Sequence, residues 1–253
     1  MDAVTKEKLH PCVAHRGFSG EAPENTMAAF RMAIDLPYVK WIELDVHLSK
    51  DDVPVVIHDD DLDRTTNGEG PVKGKTAEEL SKLDAGSWFD ARFSEEGVPT
   101  LGEVLDLTAG KCRLNVELKG EDSGRARLAA KALETIRAHG RESDTLITSF
   151  QPDILQEVRR LSDTIRTGLI VDEGADDLID RIKELGADFL SIGFHHLNEK
   201  LLAKAREASV DVMGWTVNSE SDLSRLASRP EAFQLCTNYP DRWHSVMRGE
   251  HLR

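Results

Sequence analysis

Short apolar runs recur along the chain, separated by stretches whose apolar residues fall three or four positions apart. The runs have strand length: "CVAHR" (12–16), "WIELDVHL" (41–48), "RLNVELK" (113–119), "TLITSF" (145–150), "RTGLIV" (166–171), "DFLSIGF" (188–194), "DVMGWTV" (211–217) and "AFQLCTN" (232–238). Helices are predicted between them over "ENTMAAFRMAID", "GRARLAAKALETIRAHG", "PDILQEVRRL", "ADDLIDRIKELG", "NEKLLAKAREAS" and "SESDLSRLAS". Stop and start signals agree. Gly140 and Gly186 follow a last apolar turn, and Pro152 stands in a first one. Eight strands alternating with helices in 253 residues predict an α/β fold of the TIM (β/α)8 barrel type, with a doubly wound open sheet as the alternative.

One segment interrupts the alternation. After a further short strand, "VPVVIHD" (53–59), residues 60 to about 100 are rich in Gly, Asp and Thr and carry one brief helical stretch, "TAEELSKL". A connection this long reads as a small insertion subdomain after the second strand, lying over the barrel mouth. No linker, low-complexity tract or repeat divides the rest, so residues 1–253 are expected to form a single barrel domain.

In such a barrel the C-terminal ends of the strands make the active face, so polar residues there are informative. Glu43, Asp45 and His47 alternate along the second strand and share one face, as do Asn115, Glu117 and Lys119 along the third. Inward carboxylates repel one another and lose hydration unless a cation or donors compensate. The three acids form an oxygen-rich set suited to Mg²⁺ or Ca²⁺; the alternative is salt bridging to Arg16 and Lys119. Among nine histidines, His15 and His58 stand apart because each ends an apolar strand. Beside a metal, two imidazoles can serve as general base and general acid near neutral pH. His47, His195 and His196 also lie near strand ends and are expected to play supporting parts. Glu24, Asn25 and Thr26 are expected to cap the first helix, whose N-terminus would also suit an anion. Phe150 and Trp215 are either core aromatics or the apolar wall of a ligand pocket.

Charge and composition narrow the classes. A formal charge of −14, spread without an acidic tail, argues against binding nucleic acid or anionic membrane, so an anionic substrate needs a local positive pocket. Three cysteines without CxxC spacing read as reduced core thiols. No apolar stretch approaches the roughly 20 residues of a membrane span. The charged residues before the first strand contain no signal-peptide apolar region, so a cytoplasmic protein is expected. "GEG" at 68–70 is too short for a dinucleotide loop, and no Walker sequence or GxSxG elbow occurs.

Several motifs together carry a resemblance. "HRG" with "PENT" (15–26), "ELDVHLSKDDVPVVIHD" (43–59), "LDRTTNGEG" (62–70), "LDAGSWF" (83–89), "VPTLGEVL" (98–105), "NVELK" (115–119), "SF" (149–150) and "GWTVN" (214–218) resemble the glycerophosphodiester phosphodiesterase family, in order along nearly the whole chain. The resemblance implies a TIM-like barrel with a small insertion and cleavage of small-molecule glycerophosphodiesters to glycerol 3-phosphate and an alcohol. It further implies one divalent metal ion, Mg²⁺ or Ca²⁺, held by Glu43, Asp45 and Glu117. His15 and His58 match the acid–base pair, with His15 as base and His58 as acid by analogy with related barrel phospholipases. Arg16 and Lys119 match the groups that meet the phosphate, and Trp215, with Phe150, matches a wall for glycerol or the leaving group. Two departures are small: "KDD" (50–52) lacks a common glycine, and Asn238 stands where aspartate is frequent. A lysophospholipase D-like hydrolase acting on single-chain lipids and a non-catalytic phospho-ligand-binding barrel are the alternatives, and a homo-oligomer is left open.

Overall fold

A computed structural model describes residues 1–120 and 124–250. The strands among these residues are β1 (Cys12–His15), β2 (Trp41–Leu48), β3 (Pro54–Val56), β4 (Arg113–Leu118), β5 (Thr145–Ser149), β6 (Arg166–Val171), β7 (Phe189–Gly193), β8 (Asp211–Trp215) and β9 (Gln234–Thr237). All but β3 are parallel and bond in chain order, and β9 returns to β1, so the sheet closes into an eight-stranded barrel. That closure decides against the open sheet. β3 lies outside, antiparallel to β2, with Val56 opposite Val46.

The helices are α1 (Ala3–Leu9), α2 (Met27–Ile34), α3 (Ala77–Ser81), α4 (Leu101–Thr108), α5 (Arg125–Ala138), α6 (Pro152–Leu161), α7 (Leu178–Glu184), α8 (Glu199–Glu207), α9 (Glu220–Ala227) and α10 (Pro240–Arg248). α2 starts only at Met27 because the Thr26 hydroxyl accepts the Ala29 N–H and caps the helix there. Of the three residues expected to cap it, Thr26 alone does so.

Two apolar layers result. Strand residues facing outward pack under the helices in one large cluster that runs from Cys12 and Phe30 to Trp243 and Met247. Inside the barrel, Val13, Trp41, Leu146, Phe189, Met213 and Cys236 form a plug. Gly168 makes this plug possible, since a Cβ there would lie 2.9 Å from Cβ of the fully buried Phe189. The three cysteines are free and buried, as expected of core thiols.

Between β2 and α4, Val55, Ile57, Leu62, Val72, Leu80, Ala85 and Val98 form a separate small core. The insertion is thus a packed unit rather than a loose loop, held to β2 through β3. None of the described helices is long and apolar enough to cross a membrane.

Candidate active site

Register alone gathers the predicted side chains. His15 pairs with Glu43 across β1 and β2, and Asp45 pairs with Glu117 across β2 and β4. Alternate residues point inward, so all four project above the apolar plug on the C-terminal side. The chain leaves β1 through two left-handed residues, Arg16 (φ 56°) and Gly17 (φ 83°). A Cβ on Gly17 would lie 2.7 Å from the Ala29 carbonyl carbon, which explains the glycine. The unfavourable Arg16 backbone is held at both ends: its N–H donates to the Glu43 carbonyl at 2.9 Å, and its own carbonyl accepts the Asn25 N–H at 3.1 Å. This corner places the guanidinium beside Asp45 of β2.

Each of Glu43, Asp45 and Glu117 offers an oxygen within 4.8 Å of the others, and all three residues are buried. Lys119 Nζ lies 3.0 Å from Asp45 Oδ1 and 2.5 Å from Glu117 Oε1, and Arg16 Nε lies 3.0 Å from Asp45 Oδ2. Asp45 and Glu117 are thus salt-bridged as the alternative expected, and the three acids also lie close enough together to share one cation. Burial and the Asp45 charge push Glu43 well above the usual carboxylate range and Glu117 up to about 7. Asp45 moves the opposite way despite its burial, because Lys119 and Arg16 outweigh desolvation. The Asn25 amide donates to Asp45 Oδ2 at 2.8 Å, fixing that carboxylate from below.

A hard divalent cation suits this donor set. Asp45 Oδ1 and Glu117 Oε1 are buried oxygens that accept no directed hydrogen bond, only the off-axis approach of Lys119. The upward shifts of Glu43 and Glu117 show that Arg16 and Lys119 do not fully compensate the three buried acids, a deficit that a bound cation would fill. Oxygen ligands of this kind are what Mg²⁺ or Ca²⁺ prefers.

The histidines flank the acids. His15 Nδ1 donates to Asn238 Oδ1 at 2.6 Å, leaving Nε2 toward the cavity, 3.8 Å from Glu43 Oε2. Burial, with Arg16 beside it, pushes its pKa down to about 4. His58 Nδ1 meets Asp59 Oδ1 at 2.5 Å; a carboxylate only accepts, so the proton sits on Nδ1 and Nε2 again faces the site. His47 has the supporting part expected of it, its Nε2 lying 3.0 Å from the His58 carbonyl. His195 and His196 sit in a short 3-10 turn after β7 and do not line the cavity.

A cavity of about 270 Å³ lies over these groups. His15, Arg16, Glu43, His58, Glu117 and Lys119 occupy one side. Phe150 and Trp215 form the other, edge to face with ring centroids 6.1 Å apart. Asp45 lies beneath, fully buried. Every predicted site residue is thus in or directly under one cavity. The partners Asn25, Asn238, Asp59, Glu24 and Arg64 carried no expectation of this role. A carboxylate directly after a strand-end histidine was the available signal for Asp59; nothing local marks the others.

Residues 15–242 match the glycerophosphoryl diester phosphodiesterase family. The chain belongs to that family. It is 37% identical over 215 residues to a glycerophosphodiester phosphodiesterase of Caldanaerobacter subterraneus, covering 85% of this chain and 88% of the relative. A Bacillus subtilis glycerophosphodiester phosphodiesterase is 32% identical over 259 residues, covering 94% and 86%. Among solved structures, an Oleispira antarctica phosphodiesterase in complex with the product sn-glycerol-3-phosphate superposes with a TM-score of 0.88 at 31% identity, covering 98% of this chain and 99% of that one. The enzyme is accordingly a phosphoric diester hydrolase of the glycerophosphodiester phosphodiesterase class.

Proposed function

We propose that the cavity cleaves glycerophosphodiesters to glycerol 3-phosphate and an alcohol, using His15 and His58 as an acid–base pair and one divalent cation, Mg²⁺ or Ca²⁺. Glu43, Asp45 and Glu117 would hold the cation. When bound, it would supply Lewis-acidic positive charge to the phosphate. The observation that carries the reading is the convergence of three buried acids, two cationic side chains and two strand-end imidazoles on one small cavity. The product named for the Oleispira relative agrees with it.

Arg16 and Lys119 give the diester its electrostatic welcome on a protein whose formal charge is −14. Their hydrogen bonds strengthen as charge gathers on the phosphate oxygens, which lowers the barrier rather than merely tightening binding. His15 Nε2 accepts a proton from the attacking oxygen as the new P–O bond forms; that oxygen is either water, which gives glycerol 3-phosphate directly, or the glycerol 2-hydroxyl, whose cyclic phosphate is then opened by water. His58 Nε2 donates a proton to the departing alkoxide as the old P–O bond breaks. The order is assigned from the partners: a neutral amide, Asn238, stands behind His15, whereas a carboxylate, Asp59, stands behind His58. Phe150 and Trp215 give the carbon skeleton of the substrate an apolar wall.

A panel of glycerophosphodiesters carrying choline, ethanolamine, glycerol or inositol, scored for glycerol 3-phosphate release, tests the reaction. His15→Ala and His58→Ala should each lose about 10²- to 10⁴-fold in turnover with unchanged circular dichroism. Wild-type rates in either variant would remove the two-imidazole scheme.

A further inference from the structure

Arg64, in the insertion, spans two carboxylates. Its Nε and Nη2 reach Asp59 at 2.6 and 3.0 Å, and its Nη2 and Nη1 reach Glu24 at 2.7 and 3.1 Å. Each acid also grips a group that lines the cavity. Asp59 Oδ1 accepts from His58 Nδ1, and Glu24 Oε1 accepts from Arg16 Nη1 at 2.9 Å. One guanidinium therefore joins two branches, His58–Asp59 and Arg16–Glu24, which start from different strand ends of the site.

We infer that Arg64 is a positioning residue that sets the His58 ring and the Arg16 guanidinium together, through Asp59 and Glu24. The inference rests on the proposed roles of His58 and Arg16. A purely stabilising role fits the geometry less well. The Arg64 side chain is 45% exposed, and exposed ion pairs contribute only about 0–1 kcal/mol. A planar fork that holds two carboxylates at fixed angles is instead suited to orientation. Among the described residues, Glu24 is left only with Arg16, and Asp59 only with His58, once Arg64 is gone. The insertion thereby contributes to the barrel's chemistry without touching substrate, since Arg64 does not line the cavity.

The two branches should separate kinetically. Asp59→Asn should lower kcat, because it loosens the acid. Glu24→Gln should raise KM and weaken glycerol 3-phosphate binding by calorimetry, because it loosens the phosphate group's partner. Arg64→Met should do both, each by roughly 10- to 100-fold, the range seen when supporting partners of site residues are removed. Arg64→Lys should recover only part of the loss, because an ammonium cannot reproduce the double fork. A melting temperature close to wild type would accompany these changes. Kinetics and product affinity of Arg64→Met within twofold of wild type, or Asp59→Asn and Glu24→Gln altering the same parameter, would overturn the inference. A silent Arg64→Met beside an inactive His58→Ala would sink this inference alone, whereas an active His58→Ala would sink the reading beneath it.

Discussion

At the residue scale the site is a problem in compensating buried charge. Asp45 is fully buried and ionised because Arg16, Lys119 and the Asn25 amide surround it. Glu43 and Glu117 have less such support, and burial beside Asp45 raises both. Asn25 is the least obvious participant. Its position before a helix suggested capping, yet Thr26 caps and Asn25 reaches Asp45 across 20 residues of chain. Asn25→Ala should therefore weaken Mg²⁺ or Ca²⁺ binding about 10- to 100-fold in a calorimetric titration. An unchanged affinity would show that Asp45 needs no such brace. The three acids themselves were legible because alternation on a strand marks a shared face. Asn25, Asn238 and Arg64 were not, since their partners are set by tertiary approach rather than spacing.

At the element scale the eight barrel strands follow the apolar runs closely; β2 and β6 match them to the residue. The same holds for α6, where Pro152 opens the helix and Leu161 closes it. Three helices fall outside the predicted set for different reasons. α1 buries no residue, so its sequence has no apolar period to read. α4 does have one, with Leu101, Val104, Leu105 and Thr108 buried and a Thr100–Glu103 capping box, but it follows directly on the glycine-rich insertion and merges with it. α10 offered Pro240 at its start and left-handed Gly249 at its end, and its apolar face lies beyond the last strand. The barrel plug gives a sharper test of element packing. Gly168→Ala forces a methyl against Phe189 and should cost about 1–3 kcal/mol, lowering the melting temperature by about 2–4 °C per kcal/mol. No change in melting would mean that β6 and β7 have slack the packing does not suggest.

At the scale of the whole molecule, the candidate site and a buried histidine lie at opposite ends of the barrel. The C-terminal ends of the strands carry the site, while His10 stands between α1 and the start of β1. That histidine is fully buried, rests on Phe233 with centroids 4.4 Å apart, sets Nε2 3.1 Å from the Arg229 carbonyl, and accepts the Trp243 indole N–H at its own carbonyl. Burial lowers its pKa below the ordinary 6.5, although the Arg229 and Phe233 carbonyls and the Glu231 charge pull upward. Below that value the unfolded chain binds the proton that the folded chain resists, so stability falls as pH drops from about 6.5. Denaturant midpoints between pH 7 and pH 5 should show a shallower decline in His10→Gln than in wild type. Parallel curves would exclude His10 as a source of the acid sensitivity.

The acids at the other end make the largest demand on the fold, and the account rests on a cation meeting it. The most direct test is glycerol 3-phosphate release from glycerophosphocholine by enzyme stripped with EDTA, before and after Mg²⁺ or Ca²⁺ is returned. The predicted result is a silent stripped enzyme whose activity is restored by either or both ions and not restored in Glu117→Gln. Full turnover in the rigorously stripped enzyme would contradict the account.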